Sequence, residues 1–297
     1  MKIVLWGLLQ GLGGWLLAVA AMSWLLQALT GAPATSTLGM ALFGGAAAWA
    51  AIGLLLSSGR RWRERAAIRA GAQGRPPADG RKAVLVGVIQ ATGPLLQAPL
   101  DGATCVSYAY DIKVYRRSGK SRHLFTVARG VALTPSCIVT AAGRFKLLVV
   151  PDLDATRSAA PQPSCIDRFV DYAGRTPFIM GKASAQELLD RWTDDDGMYR
   201  SDVAFEPLQD ASTAGWMAQQ QHVAPGDPVC VLGRYDAARG GVVPAPTGTP
   251  TRLIVGSTAE VVSALRATAL WHAAFGVALA AIPVLLVVSA WRSSLAE

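Results

Sequence analysis

The sequence predicts an α+β membrane protein: three transmembrane helices joined to a largely antiparallel β domain, barrel- or sandwich-like, that carries short helices. Three observations predict it. The 297 residues are 52% hydrophobic and only 16% charged. The charge is also confined, since none lies between Lys2 and Arg60 or between Arg266 and Arg292, and 26 of the 28 basic residues and 19 of the 20 acids crowd into the stretch between. In that middle stretch the apolar residues recur with a period of two, the mark of strands. A highly charged disordered chain is excluded, and so is the composition of an ordinary soluble enzyme.

Residues 3–29 form an uncharged, mostly apolar run, and about 20 such residues suffice for a helix to cross the hydrocarbon layer. Residues 38–56 and 267–291 supply two more runs of this kind. A cleaved signal peptide has an apolar core of roughly 7–15 residues, so the first run is too long for one. The resulting division is a transmembrane hairpin over 1–59, a basic juxtamembrane linker over 60–81, a β-rich domain over 82–265, a third span over 267–291 and a tail over 292–297. Gly7 and Gly11 make a GxxxG pair, and Gly44 and Gly45 give the second span a small-residue face. Such faces let backbones approach closely. Packing of the chain's own helices is the simpler use, with a homo-oligomer through Gly7 and Gly11 as the alternative. His272 is the one ionisable side chain within a span, near Arg266, and reads as a polar anchor at the interface.

The flank after the second span holds Arg60, Arg61, Arg63, Arg65, Arg69, Arg75, Arg81 and Lys82 against only Glu64 and Asp79. Short flanks rich in Lys and Arg stay on the cytoplasmic side. This puts the β domain in the cytoplasm, and the alanine, glycine and arginine usage suggests a bacterial source and so a bacterial inner membrane. Arg60, Arg61, Arg63, Arg65 and Arg69 are the candidate lipid-facing residues, each contributing about 1 kcal/mol near anionic lipid, although the topology signal alone also accounts for them. The remainder of the middle stretch is nearly neutral, which argues against nucleic acid as a partner.

Val106, Tyr108, Tyr110, Ile112 and Val114 alternate with Ser107, Asp111 and Lys113, so a strand with one core face and one wet face is expected there. Further strands are expected over 83–89, 123–128, 137–140, 145–150, 228–232 and 252–255, with hairpin turns at Ser118-Gly119 and Ala142-Gly143. Between 152 and 210 the character changes. Pro151, Pro161 and Pro163 read as breaks, Ser184 and Glu187 as the capping box of a short helix over 183–192, and Asp194, Asp195 and Asp196 as part of a solvated acidic loop.

Chemistry is sparse. Cys105, Cys137, Cys165 and Cys230 are too far apart for a zinc-ligand spacing and are expected as free thiols, three of them in strand-like sequence where a buried Cys is the default, so no metal and no cofactor is expected. There is no GxSxG, P-loop, HExxH or dinucleotide fingerprint. The remaining catalytic option is a Cys137 nucleophile paired with His123, a membrane-bound hydrolase.

The run Gly93-Pro94-Leu95-Leu96-Gln97-Ala98-Pro99-Leu100-Asp101-Gly102-Ala103-Thr104-Cys105-Val106-Ser107-Tyr108 resembles the "PL.AP.dG..CV.Y" element of the GIDE-type, or beside-a-membrane, domain. Residues 145–150 after Ala142-Gly143 are similar to its "tG...v.V" strand, and 225–233 to its "Gd.v.vlG" strand. The resemblance covers about 82–265 and picks out Pro99, Cys105, Tyr108, Gly226, Asp227 and Gly233. It implies a β-rich domain held against a membrane between helices. Eukaryotic members are mitochondrial E3 ubiquitin ligases whose activity belongs to a RING zinc domain. No Cys/His cluster with metal spacing occurs here, so ligase activity has no physical seat. The expectation is a membrane-anchored binding or scaffold module whose partner is membrane lipid or an unidentified protein or peptide. The six motif positions are expected to serve structure first.

Overall fold

A long apolar run has to satisfy its backbone polar groups within itself, and a helix does so residue by residue. The computed structural model describes residues 2–31, 34–118, 121–154, 163–180, 198–205, 215–244 and 251–294. Its helices are α1 (Lys2–Thr30), α2 (Ala34–Ala72), α3 (Pro163–Arg175) and α4 (Thr258–Ser294). Three of them, α1, α2 and α4, contain stretches long and apolar enough to cross a bilayer. Gly31 ends α1 at φ +64°, its N–H donating to the Gln27 carbonyl at 2.9 Å, a left-handed cap.

Two helix boundaries differ from expectation. The flank 60–81 is not a linker throughout, because α2 continues through the arginines to Ala72. Arg, Ala and Glu are good helix formers, and nothing interrupts them until Gly74 at φ +71° and then Pro76-Pro77. The third apolar helix starts at Thr258 instead of 267. Its start is set by a capping box: the Ser257 N–H donates to Glu260 Oε2 at 2.8 Å, and the Glu260 N–H donates to Ser257 Oγ at 3.3 Å.

The chain divides into two compact units, one of Met1–Ala66 with Ser263–Glu297 and one of Ala67–Val262. In the first, Val19, Met22, Leu26 and Ala41 form a small core, with Trp15, Val287 and Ala290 against it. Small residues permit the close approach: a Cβ on Gly45 would lie 2.7 Å from the Val19 Cα. His272 Nδ1 is 3.0 Å from Ser57 Oγ, and Ser58 Oγ donates to the Ala269 carbonyl at 2.9 Å. The histidine thus ties α4 to α2. The segment with Gly7 and Gly11 is helix, and its side-chain packing lies outside what is described.

The second unit is built from β1 (Lys82–Ala91), β2 (Leu96–Gln97), β3 (Thr104–Cys105), β4 (Ser107–Ser118), β5 (Ser121–Leu133), β6 (Ser136–Thr140), β7 (Gly143–Leu147), β8 (Asp152–Asp154), β9 (Ile179–Met180), β10 (Tyr199–Ala204), β11 (Trp216–Val223), β12 (Pro228–Asp236), β13 (Gly241–Val243) and β14 (Arg252–Val255). One sheet has the order β1-β6-β7-β13-β12-β14-β8, and β12 also pairs with β1. Five strands therefore close into a barrel-like ring, and closure removes their edges. A second sheet runs β11-β4-β5-β10-β9, and β2 pairs with β3. Most pairings are antiparallel; β7–β13, β8–β14 and β9–β10 are parallel.

Two cores result. Leu85, Ile89, Ile138, Leu147 and Val231 of the ring share one with Leu253 of β14 and with Val131, Leu133 and Val203 of the second sheet. Tyr108, Tyr110, Ile112, Ala128 and Trp216 share the other with Cys165 and Phe169 of α3. The second sheet is thus a middle layer. This corrects the expectation of a wet face along the whole of β4: Ser107 is fully buried and Ala109 packs on the ring side, while Asp111 and Lys113 are partly exposed. Of the three prolines expected as breaks, one begins a helix. Pro163 opens α3, where its missing N–H would have been unpaired anyway, and Cys165, Ile166, Phe169, Tyr172 and Ala173 follow at helical spacing. The helix expected over 183–192 and the acids Asp194, Asp195 and Asp196 lie outside the described residues.

Candidate functional site

The densest polar arrangement among the described residues lies where α3 covers the second sheet. Even-numbered positions of β4 point their side chains toward α3, so Tyr108 and Tyr110 bring phenols into an apolar layer and each needs a partner. Asp202 on β10 supplies it. Its Oδ1 accepts from Tyr110 at 2.7 Å and from Tyr172 of α3 at 2.8 Å, and its Oδ2 accepts from Arg200 Nε at 2.9 Å. The Tyr108 and Tyr172 hydroxyls are 2.9 Å apart, and Arg200 Nη2 also donates to the Tyr172 oxygen and to Thr176 Oγ1. The guanidinium lies 5.1 Å from the Tyr172 ring centroid.

Burial, with Asp202 beside them, pushes the phenols of Tyr108 and Tyr110 far up, and that of Tyr172 up to about 12. For Arg200, burial alone acts downward, and the bond to Asp202 with the nearby phenols more than offsets it. The side chain of Asp202 is only 2% exposed. Gly130 makes room, since a Cβ there would collide with the Tyr110 ring and Asp202. A carboxylate accepting three hydrogen bonds from fixed donors holds a helix to a sheet, and its phenols are protonated at any physiological pH.

A second cluster surrounds the loop between β2 and β3. Asp101 Oδ1 accepts from the Ala103 N–H at 2.9 Å, Gly102 sits at φ +72°, and the Leu100 N–H donates to Gln220 Oε1 at 2.8 Å. The Arg168 guanidinium reaches the Asp101 carbonyl from α3. His222 Nδ1 is 3.3 Å from Asp101 Oδ2. A carboxylate orienting an imidazole is the base half of a nucleophilic site, and it had no signature in the sequence because its members are 121 positions apart. The thiol of the same loop does not complete it: Cys105 is fully buried, and burial with Asp101 pushes it up to about 12.

The structure does not bring Cys137 and His123 together. Cys137 is buried in β6 opposite Gln90 and Lys146, whereas His123 is exposed on β5 opposite Arg116. Ten residues of strand separate His123 from Leu133, about 33 Å, and the four residues on to Cys137 can return at most about 14 Å. All four cysteines are free and buried. Cys105 and Cys230, the latter pushed up by burial to about 11, are expected to react with a soluble maleimide at neutral pH only after denaturation. Prompt labelling of either in the native protein would contradict their burial. The protonated Cys105 thiol contributes stability that is complete below the thiol's ordinary 9.0 and is lost as pH rises through about 12.

The six motif positions shape backbone. Pro99 is buried beside Leu100, Cys105 pairs with Leu96, and Tyr108 enters the phenol network. Gly226, at φ +89°, follows Pro225 in the turn between β11 and β12, and its N–H donates to the Ile89 carbonyl at 2.9 Å. Asp227 closes that turn, its Oδ2 accepting from the Ala224 N–H at 2.9 Å. A side chain on Gly233 would strike Val242 and crowd Thr251. Arg60, Arg61, Arg63, Arg65 and Arg69 lie along α2, and the Arg65 guanidinium is 4.7 Å from the Trp62 ring centroid. No group of His, Cys, Asp and Glu residues suited to a metal ion occurs among the described residues. Compared with protein-family models, with curated proteins and with solved structures, the chain matches none of the three.

Proposed function

We propose that this chain is a membrane-anchored binding module. In this reading α1, α2 and α4 span a bacterial inner membrane, and the β unit is a GIDE-like domain on the cytoplasmic side that binds a protein, peptide or lipid partner there. The observation that carries it is the outward display of large apolar side chains on these helices: Leu17, Phe43, Trp271 and Val277 are more than half exposed, as are Trp24 at 71% and Leu285 at 65%. In water each such surface costs about 25 cal/mol per Å², and the cost disappears in lipid. The positive flank supports the sidedness. Binding is favoured over catalysis because Asp202, Tyr110 and Tyr172 spend their polar atoms on one another and the thiol nearest the Asp101–His222 pair is held protonated.

Alkaline carbonate extraction of membranes containing the full-length protein tests the anchoring half, with one topology reporter near Asp195 and another after Glu297. The protein should stay in the pellet, with the Asp195 reporter inside and the Glu297 reporter outside. Recovery in the aqueous fraction without detergent, or both reporters on one side, would overturn it. For the binding half, photo-crosslinking residues placed over the β unit in intact membranes should give a discrete adduct from one face. Equal, diffuse crosslinking from every face would count against a binding surface.

A further inference from the structure

The β4–β5 hairpin outruns its sheet. Pairing with β11 on one side ends at Val114, opposite Trp216, and pairing with β10 on the other ends at Ala128, opposite Ala204. Beyond those points β4 and β5 continue to pair only with each other among the described residues, to Ser118 opposite Ser121. A register shift at Ile112/Lys113 marks the root of this arm, and a bulge there is the usual means of re-aiming a strand. The arm extends about 13 Å past its last contact with β11. A two-stranded ribbon is marginal in water by itself, so extending one so far calls for a use.

Its composition points to that use. Between Tyr115 and Phe125 there are Arg116, Arg117, Lys120 and Arg122, together with His123, and no acid. The register sets Arg117 opposite Arg122, and like charges in directly opposed positions destabilise a ribbon. Solvation alone would be served as well by charges of mixed sign. Behind this cationic end Tyr115, Leu124 and Phe125 are exposed, Tyr115 by 54%. Tyr115 and Leu124 are opposed in the register and share one face of the ribbon with Arg122, so an arm laid along a bilayer can put the apolar pair at the acyl boundary while the cation stays at the level of the phosphates.

We infer that the arm formed by Tyr115–Ser118 and Ser121–Phe125 docks lengthwise onto an anionic phospholipid surface, its cations meeting headgroup phosphates and Tyr115 and Leu124 entering the interface. This rests on the anchoring reading above, which keeps the β unit tethered to a bilayer through α2 and α4. Nucleic acid is the weaker match, because its binders carry basic charge spread over the fold, whereas here the rest of the unit is nearly neutral. The arm is a separate element from the arginines of α2.

The test uses the full-length protein with Leu124→Cys, labelled with a polarity-sensitive fluorophore and reconstituted into nanodiscs of phosphatidylcholine alone or mixed with phosphatidylglycerol. The four native thiols are buried and should label slowly. Emission should shift to the blue and rise in the anionic discs only, and high salt should reverse it. Arg122→Gln should lower the docking equilibrium constant by about fivefold with an unchanged melting temperature, since Arg122 is exposed. Identical emission in both lipids, from protein that resists carbonate extraction, would sink the inference and leave the anchoring reading standing. Protein that fails to integrate would sink the anchoring reading instead. A response to an added oligonucleotide or polyglutamate, with none to anionic lipid, would also overturn the inference.

Discussion

Replacing Asp202 with alanine should cost the β unit about 3–5 kcal/mol, the usual penalty for removing one partner of a buried, hydrogen-bonded charge pair. Three donors lose their acceptor at once: the Tyr110 hydroxyl, the Tyr172 hydroxyl and Arg200 Nε. The Tyr110 hydroxyl is buried and cannot turn to water. Domains are stable by only about 5–15 kcal/mol, so this change brings the unit close to unfolding. Loss should spread from the node. Tyr172 belongs to α3, and the aromatic contacts of Phe169 with Tyr110, Tyr172 and Trp216 depend on that helix staying seated. Hydrogen exchange on the full-length protein in mild detergent should show α3 and β10 losing protection together, with the ring strands β1 and β6 less affected. Tyr110→Phe should cost less, about 1–2 kcal/mol, because Asp202 keeps two of its three donors. A double-mutant cycle between the two should show strong coupling. Wild-type protection of α3 in Asp202→Ala would show that the carboxylate does not hold the helix.

Why Asp202 was not legible in the sequence is instructive. It sits in the stretch 187–210, whose eight acids against Arg191 and Arg200 read as a solvated loop. Composition over a window averages away the one acid that is buried. Its phenolic partners are 92 and 30 positions away, and no local spacing records such a pairing. What periodicity could convey, it conveyed: the even positions of β4 as a core face, and the three charge-free runs as long helices. It could not show the second covering layer that buries Ser107 on the opposite face, because that depends on the ring packing from behind. Nor could it show closure of the ring, which requires Val84 on β1 to meet Leu232 on β12. The helix ends failed for a local reason. Charge alone does not end α2, because arginine is compatible with helix and only Gly74 and Pro76-Pro77 are not. Pro163 looks like a break in sequence, yet the first turn of a helix is where proline is tolerated.

Gly45→Ala is expected to disrupt the packing of α1 on α2, and the comparison that makes the result interpretable is Gly53→Ala in the same helix. A Cβ on Gly45 would lie 2.7 Å from the Val19 Cα and 2.8 Å from its nitrogen, whereas a Cβ on Gly53 would meet nothing within 4 Å. Backbone atoms cannot rotate aside as a side-chain tip can, so the Gly45 variant must push the two helices apart and lose contacts among Val19, Met22 and Leu26. Overpacking of this kind typically costs about 1–3 kcal/mol. Small residues at such crossings are what allow helices to associate where no hydrophobic force draws them together. At Gly53 the same methyl should be neutral or mildly stabilising, by up to about 1 kcal/mol from helix propensity. Denaturation by SDS titrated into mild-detergent micelles, followed by tryptophan fluorescence, should move the midpoint down for Gly45→Ala and leave it in place or raise it for Gly53→Ala. Equal behaviour of the two would mean that α1 and α2 do not meet at Val19 and Gly45. A lowered midpoint for Gly53→Ala alone would place the helix contact on the opposite side of α2, with the apolar face now assigned to lipid turned inward.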